Sequence, residues 1–285
     1  MRIREECRDC LIRLIDLTVT LATPDPELRE AARARALAIV DEEFGPGAIP
    51  ALIANRCHLE IQRITRNPDP FLERKKSETA FLERQAQAVA PGFPSTLESL
   101  LKLAVLGNAV DFFRSAEEVE REFSRQINFA VTQLGAFREI LAQEPGMILY
   151  LADNAGEQHF DLPLVQHLRG LGWQVVYVVK GGPIQNDLTK ADLVASGLSA
   201  ALEPVMETGA RTVGLVLGET SGVFQEAFQQ ARLIVAKGMG HFETLSALAD
   251  PRLFFLLQAK CATVAQSLRV SRGSFLFTRA GEIFS

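Results

Sequence analysis

Apolar residues recur at three- and four-residue spacing through most of the first half of the chain, the pattern of helices that bury one face. "CRDCLIRLIDLTVTLA" shows it first. "PDPELREAARARALAIVDEEF" opens with proline and acids, which suit a helix N-terminus. "AIPALIANRCHLEIQRIT" repeats the spacing, and in "NPDPFLERKKSETAFLERQAQAVA" Asp69 is placed as N-cap with Pro70 at the first helical position. "STLESLLKLAVLGNAVDFF" and "SAEEVEREFSRQINFAVTQLGAFREILAQ" complete the helical set. No β-branched, strand-like run is read before about residue 146.

Beyond that point the pattern changes. "GMILYLA", "WQVVYVVK", "TVGLVLG" and "RLIVAKG" are short continuous apolar runs, with helical patterns such as "DLPLVQHLRGLG" and "GVFQEAFQQA" between them. Continuous rather than alternating runs predict strands covered on both faces, hence a mostly parallel sheet in an α/β layer fold. "SFLFTR" is expected as a final edge strand. The change falls in "AQEPGM", which divides the chain into a helical domain, residues 1–142, and an α/β domain, residues 143–285. No internal repeat or low-complexity segment is present.

Composition narrows the partners. With 47% hydrophobic residues, 23% charged residues and a formal net charge of −5, the chain has the balance of a protein with a full core. No block of Lys and Arg stands out, which argues against nucleic acid and anionic membrane. The N-terminus "MRIREECRDC" has no apolar signal region, and no apolar run reaches membrane-spanning length, so a cytoplasmic location is expected. Cys7, Cys10, Cys57 and Cys261 are too few for a disulfide framework. Cys7 and Cys10 share one helix face. They read equally as packing thiols and as half of a metal or redox site, for which only the adjacent Cys57 and His58 offer further ligands.

Candidate chemistry gathers where the apolar runs end. In open α/β sheets ligands bind beyond the carboxyl ends of the strands. Three such ends carry unusual polar sequence: "ADNAGE" (152–157), "KGGPIQND" (180–187) and "KGMGHFETL" (237–245). Asp153, Asn154 and Asp187 offer oxygen donors of the kind hard cations such as Mg²⁺ and Mn²⁺ prefer. Lys180 and Lys237 are positive groups at strand ends, and the glycines of these loops let backbone N–H groups approach an anion. "GHFETL" is expected to open a helix whose N-terminus favours negative charge. Together they describe a phosphate held against a divalent cation. Taken singly, each residue has a plainer role. Asp153 and Asn154 fit a helix cap, Asn186 and Asp187 a turn, the lysines a solvated surface, and Glu157 and Glu243 surface positions. His159 and His167 read as structural or solvent-facing, while His241, inside the third loop, stays open between the two.

With these loops in view, the sequence resembles the damage-control phosphatase family, also described as domain of unknown function 89, in its single-domain prokaryotic branch. The resemblance spans nearly the whole chain: "CRDC", "RNPDPFLERKK", "GNAVDFF", "DNAGE", "GGPIQND", "KGMGHFETL" and "QAKC" occur in the family's order. It implies a helical domain joined to a Rossmann-like three-layer α/β/α domain. It also implies a divalent metal (Mn²⁺, Mg²⁺, Co²⁺ or Ni²⁺) held by Asp153, Asn154 and Asp187. Lys237 would lie in the phosphate-binding loop, Lys260 would be a second phosphate contact, and Asn108 and Asp111 would reach the cleft from the helical side. Gly156, Asn186, Gly240, His241 and Glu243 complete the expected substrate-binding set, and Glu157 joins the catalytic one by orienting the water or a ligand. His241 departs from the family's usual Asn, which bears on substrate choice and pH optimum, since an imidazole titrates near neutrality.

The expected activity is metal-assisted, in-line hydrolysis of small phosphorylated metabolites, sugar phosphates or damaged intermediates. Two other readings stand beside it. An S-adenosylmethionine-dependent carboxyl methyltransferase would need no metal, and "ADNAGE" lacks the usual run of glycines after the first strand. A non-catalytic metabolite-binding module would use the loops without the Asp-Asn-Asp set.

Overall fold

The computed structural model describes residues 3–109 and 127–281. Its first three helices, α1 (Glu6–Ala22), α2 (Pro26–Glu43) and α3 (Pro50–Thr65), pack around Leu11, Ile15, Val19, Ala36, Ile39 and Ile61. Asp25 caps α2, accepting the amide hydrogens of Glu27 and Leu28 at 2.9 and 3.2 Å, with Pro26 in the first turn. Asp69 does not cap the next helix. That helix, α4, runs Leu72–Val89, and the Asp69 carboxylate is taken by the buried Lys75, 2.7 Å away. Helix α5 (Leu97–Gly107) follows.

A seven-stranded sheet organises the rest: β1 (Phe129–Thr132), β2 (Met147–Leu151), β3 (Gln174–Val179), β4 (Val205–Glu207), β5 (Leu233–Lys237), β6 (Leu253–Gln258) and β7 (Phe275–Arg279). Their order is β1-β7-β6-β5-β2-β3-β4, and every pairing is parallel except β6 with β7. Successive residues of a strand point to opposite faces, and here both faces are dry. Ile148, Tyr150, Val175, Tyr177, Val235 and Phe254 join the core beneath α4, α5 and α7 (Gln158–Gly170). Leu149, Leu151, Val176, Ile234 and Phe255 join a second core under α10 (Gly222–Gln230), α11 (Gly238–Leu245) and α12 (Ala262–Ser267). Three short helices, α6 (Leu134–Leu141), α8 (Lys190–Ala195) and α9 (Ser199–Leu202), complete the connections, giving the expected three-layer α/β/α arrangement with its helical N-terminal region. Among the described residues no helix is long and apolar enough to cross a membrane.

Four details depart from the sequence reading. The run at 129–132, expected inside a long helix, is a strand that pairs in parallel with β7, so the sheet begins ahead of residue 143. β7 is therefore not an edge; β1 and β4 are. "LFFLLQ" and "VME", not singled out, form β6 and β4. "TVGLVLG" is not a strand. Asn55 of α3 brackets the backbone of Val213, accepting its N–H at 2.8 Å and donating to its carbonyl at 3.3 Å. Thr244 takes the N–H of Leu215 at 3.0 Å, and Gly214 turns at φ +71° against Gly240. Side chains thus occupy the backbone groups that a ladder would need.

Candidate active site

β2 and β5 are neighbours, and the chain leaves them in opposite directions, β2 toward β3 and β5 toward β6. Their C-terminal ends therefore flank the crevice where a parallel sheet reverses its order, the place such folds offer a ligand. The loop after β2 is pinned to the loop after β3. Asn154 and Asp187 form an isolated antiparallel bridge. Leu188 donates to the Asp153 carbonyl at 2.8 Å, and Ala155 to the Asn186 carbonyl at 2.9 Å. Asp153, Asn154 and Asp187, far apart in sequence, consequently line one cavity of about 370 Å³. Lys260, Gln185, Asn186, Gly240 and Glu243 line it too, and α1 and α3 cover it with Leu11, Leu14, Ala51 and Ala54.

The third loop comes from β5. Gly238 opens α11 at φ +79°, and a Cβ there would collide with the Asp153 carboxylate. Glycine is required on both counts. It lets Asp153 sit at the positive end of the helix. Oδ2 of Asp153 also accepts from Asn108 at 2.9 Å and from Asn154 at 2.8 Å. The same two amides donate to Glu157 Oε1, at 2.9 and 2.8 Å, so Asn108 and Asn154 tie Asp153 and Glu157 into one network.

Lys237 lies behind this layer and not in the cavity. Its ammonium is fully buried and donates to Glu157 at 2.8 Å, to Asp161 at 2.6 Å and to the Ala104 carbonyl at 2.9 Å. An ammonium has three hydrogens. All are engaged, which leaves Lys237 nothing to offer a phosphate. Asp161 also receives Tyr150 at 2.7 Å and Tyr177 at 2.8 Å. These three residues were not singled out in the sequence. The available signal was that Asp161 stands one helical turn beyond Glu157 on α7.

His241 differs likewise from its expectation. The ring is buried and does not line the cavity: Nδ1 lies 2.7 Å from the Lys237 carbonyl and Nε2 3.2 Å from the Lys180 ammonium. A carbonyl can only accept and an ammonium can only donate, so the proton belongs on Nδ1. Burial, and then the Lys180 charge, push the imidazole well below its ordinary pKa. It does not titrate near neutrality. Gly156 turns at φ +101° and packs on Leu82 and Thr79 of α4, away from the cavity. Asn186 donates to Glu78 at 3.3 Å, Asn108 is fully buried behind Asp153, and Asp111 lies outside the described residues. Cys7, Cys10 and Cys261 also line the cavity, Cys7 3.4 Å from the Thr263 hydroxyl.

The electrostatics are those of crowded anions. Burial, then the charges of Glu157 and Asp187, push the Asp153 carboxyl well above the ordinary range. Burial pushes Asp187 up to about 6 against the pull of Lys180. Burial also acts on Glu157, but Lys237 and Lys260 outweigh it and hold that carboxyl below its usual value. Lys180 stands 3.3 Å from Asp187 Oδ2, an ion-pair distance, yet no donor is aligned on this buried oxygen. Among the described residues no three His, Cys, Asp or Glu side chains converge to form a metal cage by themselves. The available set is two carboxylates and an amide. Hard oxygen donors and like charges that repel one another both suit a divalent cation.

A family model described as Damage-control phosphatase ARMT1-like domain matches residues 3–276. The sequence is 36% identical to a damage-control phosphatase of Pyrococcus horikoshii, over 98% of each chain. It is 28% identical to a protein of Archaeoglobus fulgidus with the same description, over 97% of this chain and 98% of that one. A crystal structure of a DUF89 family protein from Pyrococcus horikoshii superposes with a TM-score of 0.87 at 35% identity, covering 98% of this chain and 99% of that one.

Proposed function

Since the chain belongs to the damage-control phosphatase ARMT1-like family, we propose that it is a phosphatase, and specifically a divalent-metal-dependent phosphomonoesterase acting on small phosphorylated metabolites. The observation that supports this most is the convergence of Asp153, Asn154 and Asp187 on one cavity beside Lys260 and the first turn of α11. Asp153, Asp187 and Asn154 would hold the cation, which when bound supplies Lewis acidity toward the phosphoryl oxygens and lowers the pKa of water. Lys260 reaches the same cavity, and its charge acts on Asp153 and Glu157. It is placed to offset the charge that spreads over the equatorial oxygens during in-line displacement. Glu157, fixed by Lys237 and by Asn108, orients the Asn154 amide rather than touching substrate.

Turnover of p-nitrophenyl phosphate is the test. Activity should appear with Mn²⁺ and vanish with EDTA. A methyltransferase or a binding module would give no release of nitrophenol under either condition. Proton competition adds a second expectation. Burial sets Asp187 at about 6, and a proton on that carboxyl must leave before a cation can bind. The Asp153 carboxyl, also raised by burial, adds its own proton, so the sign is fixed: Mn²⁺ affinity should weaken as pH falls. Titration calorimetry should find the loss exceeding about tenfold per pH unit below about 6, with more than one proton displaced per cation. An affinity that is flat through this range would exclude Asp187 as a ligand.

A further inference from the structure

The turn that delivers Asp187 also carries a side chain the mechanism above does not use. Gln185 takes φ +46°, a left-handed conformation that is costly for a residue with a Cβ and uncommon outside Gly, Asn and Asp. Of the four non-glycine residues at positive φ among the described residues, it alone lines the cavity. Helix α3 holds it in place: His58 Nε2 accepts the Gln185 backbone N–H at 3.3 Å, and Gln62 donates to the Pro183 carbonyl at 3.2 Å. The adjacent Ile184 is fully buried, and its carbonyl accepts the Asp187 N–H at 3.1 Å, which closes the turn. Asn186 is spoken for by Glu78, and Asp187 faces Lys180. The Gln185 carboxamide is different. The residue is 6% exposed, yet among the described residues nothing donates to its amide oxygen or accepts from its amide nitrogen. A buried amide without a partner is costly, so its partner comes from outside the chain, from whatever fills the cavity.

We propose that Gln185 is a specificity-determining residue that reads the alcohol part of the substrate through a hydroxyl close to the phosphoester, an assignment that rests on the phosphatase reading above. Two residues separate Gln185 from Asp187, at most about 7 Å of backbone. A phosphate held at Asp187 therefore brings the first carbons of its alcohol within reach of the Gln185 amide. A carboxamide offers both donors and an acceptor and carries no charge. It matches a hydroxyl, which also donates and accepts, and it neither repels the phosphate nor competes for the cation as a carboxylate would. Leu11, Leu14, Ala51 and Ala54, which line the same cavity, give a hydroxyl no hydrogen bond. The preferred class is thus a monoester whose alcohol bears a second hydroxyl near the ester carbon, over an alkyl or aryl ester of similar size without one.

Glycerol 3-phosphate and propyl phosphate differ only in hydroxyls, and Gln185→Met keeps an unbranched side chain at the same φ while removing the amide. Wild type should favour the glycerol ester by about tenfold in kcat/KM, the scale of one or two neutral hydrogen bonds. In the variant kcat/KM on glycerol 3-phosphate should fall by about tenfold, with the loss on propyl phosphate at least about fivefold smaller, so that the preference nearly disappears. The loss should lie in KM and not in kcat, because a bond to a hydroxyl away from phosphorus is the same in the ground and transition states. Thermal unfolding and Mn²⁺ affinity should match the wild type. A glutamine that only shaped the turn would act through Asp187 and lower both esters alike. Equal losses on the two esters, or an unaltered preference, overturn the assignment. A wild-type protein that hydrolyses p-nitrophenyl phosphate but does not favour the glycerol ester overturns it too, with the phosphatase reading intact. Hydrolysis of none of the three esters defeats both.

Discussion

Asp153→Ala should remove metal binding and phosphate turnover together while leaving the apo fold at least as stable as before. Asp153 supplies one of the two carboxylates in the Asp153, Asn154 and Asp187 set, and a Cβ at Gly238 would collide with it. Lewis-acid stabilisation of a phosphoryl transition state is worth several kcal/mol, and each 1.36 kcal/mol is tenfold in rate. A loss of about 1,000-fold or more in kcat/KM follows from that scale. The stability expectation runs the other way. A carboxyl raised above its unfolded value destabilises the fold wherever it is ionised, and Asp153 is raised by burial and by Glu157 and Asp187. Its removal relieves that repulsion, and Asn108 and Asn154 keep Glu157 as acceptor. Differential scanning fluorimetry separates the two effects. Wild type should gain melting temperature with Mn²⁺ by mass action, and the variant should not, although its apo value is no lower than that of the wild type. Undiminished turnover in the variant would end the proposed mechanism.

The parts of this site that could be read from sequence share one property: each lies at the end of an apolar run. β2, β3 and β5 are continuous Val-, Ile- and Leu-rich strands, and parallel connections oblige their polar ends to open on one edge. Asp153, Asn154 and Asp187 were legible for that reason. "LFFLLQ" carries the same signal without β-branched residues, and periodicity alone does not separate such a run from a buried helix segment. "TVGLVLG" has the β-branched residues yet is claimed by Asn55, 158 residues away. The fate of Lys237 was hidden in the same way. Two of its acceptors, Asp161 and Ala104, stand 76 and 133 residues before it, and nothing local distinguishes a lysine that meets a phosphate from one that meets two acids. The His241 ring was likewise decided by Lys180, from another strand end.

Lys237→Met should be the most destabilising single change of those considered, by about 3–5 kcal/mol. Glu157 and Asp161 are both buried, and Lys237 is the cation that compensates them, at 2.8 and 2.6 Å. Removing one partner of a buried ionic group leaves the others charged in a medium that solvates them poorly. The two tyrosines and the two asparagines remain as donors, so the carboxylates keep hydrogen bonds but lose their hydrogen-bonded countercharge. Urea unfolding should show a lower midpoint at unchanged slope. The pH dependence has a definite sign. In the variant the folded-state pKa values of Glu157 and Asp161 lie above their unfolded ones, so the penalty is full at neutral pH and shrinks as pH falls toward the ordinary carboxylate range. Adding Asp161→Asn removes one of the stranded charges and should restore part of the loss, a coupling of about 0.5–3 kcal/mol in a double-mutant cycle. A lysine that held phosphate would behave differently: its methionine variant would fold as well as wild type and lose only KM. That outcome would return Lys237 to the phosphate loop.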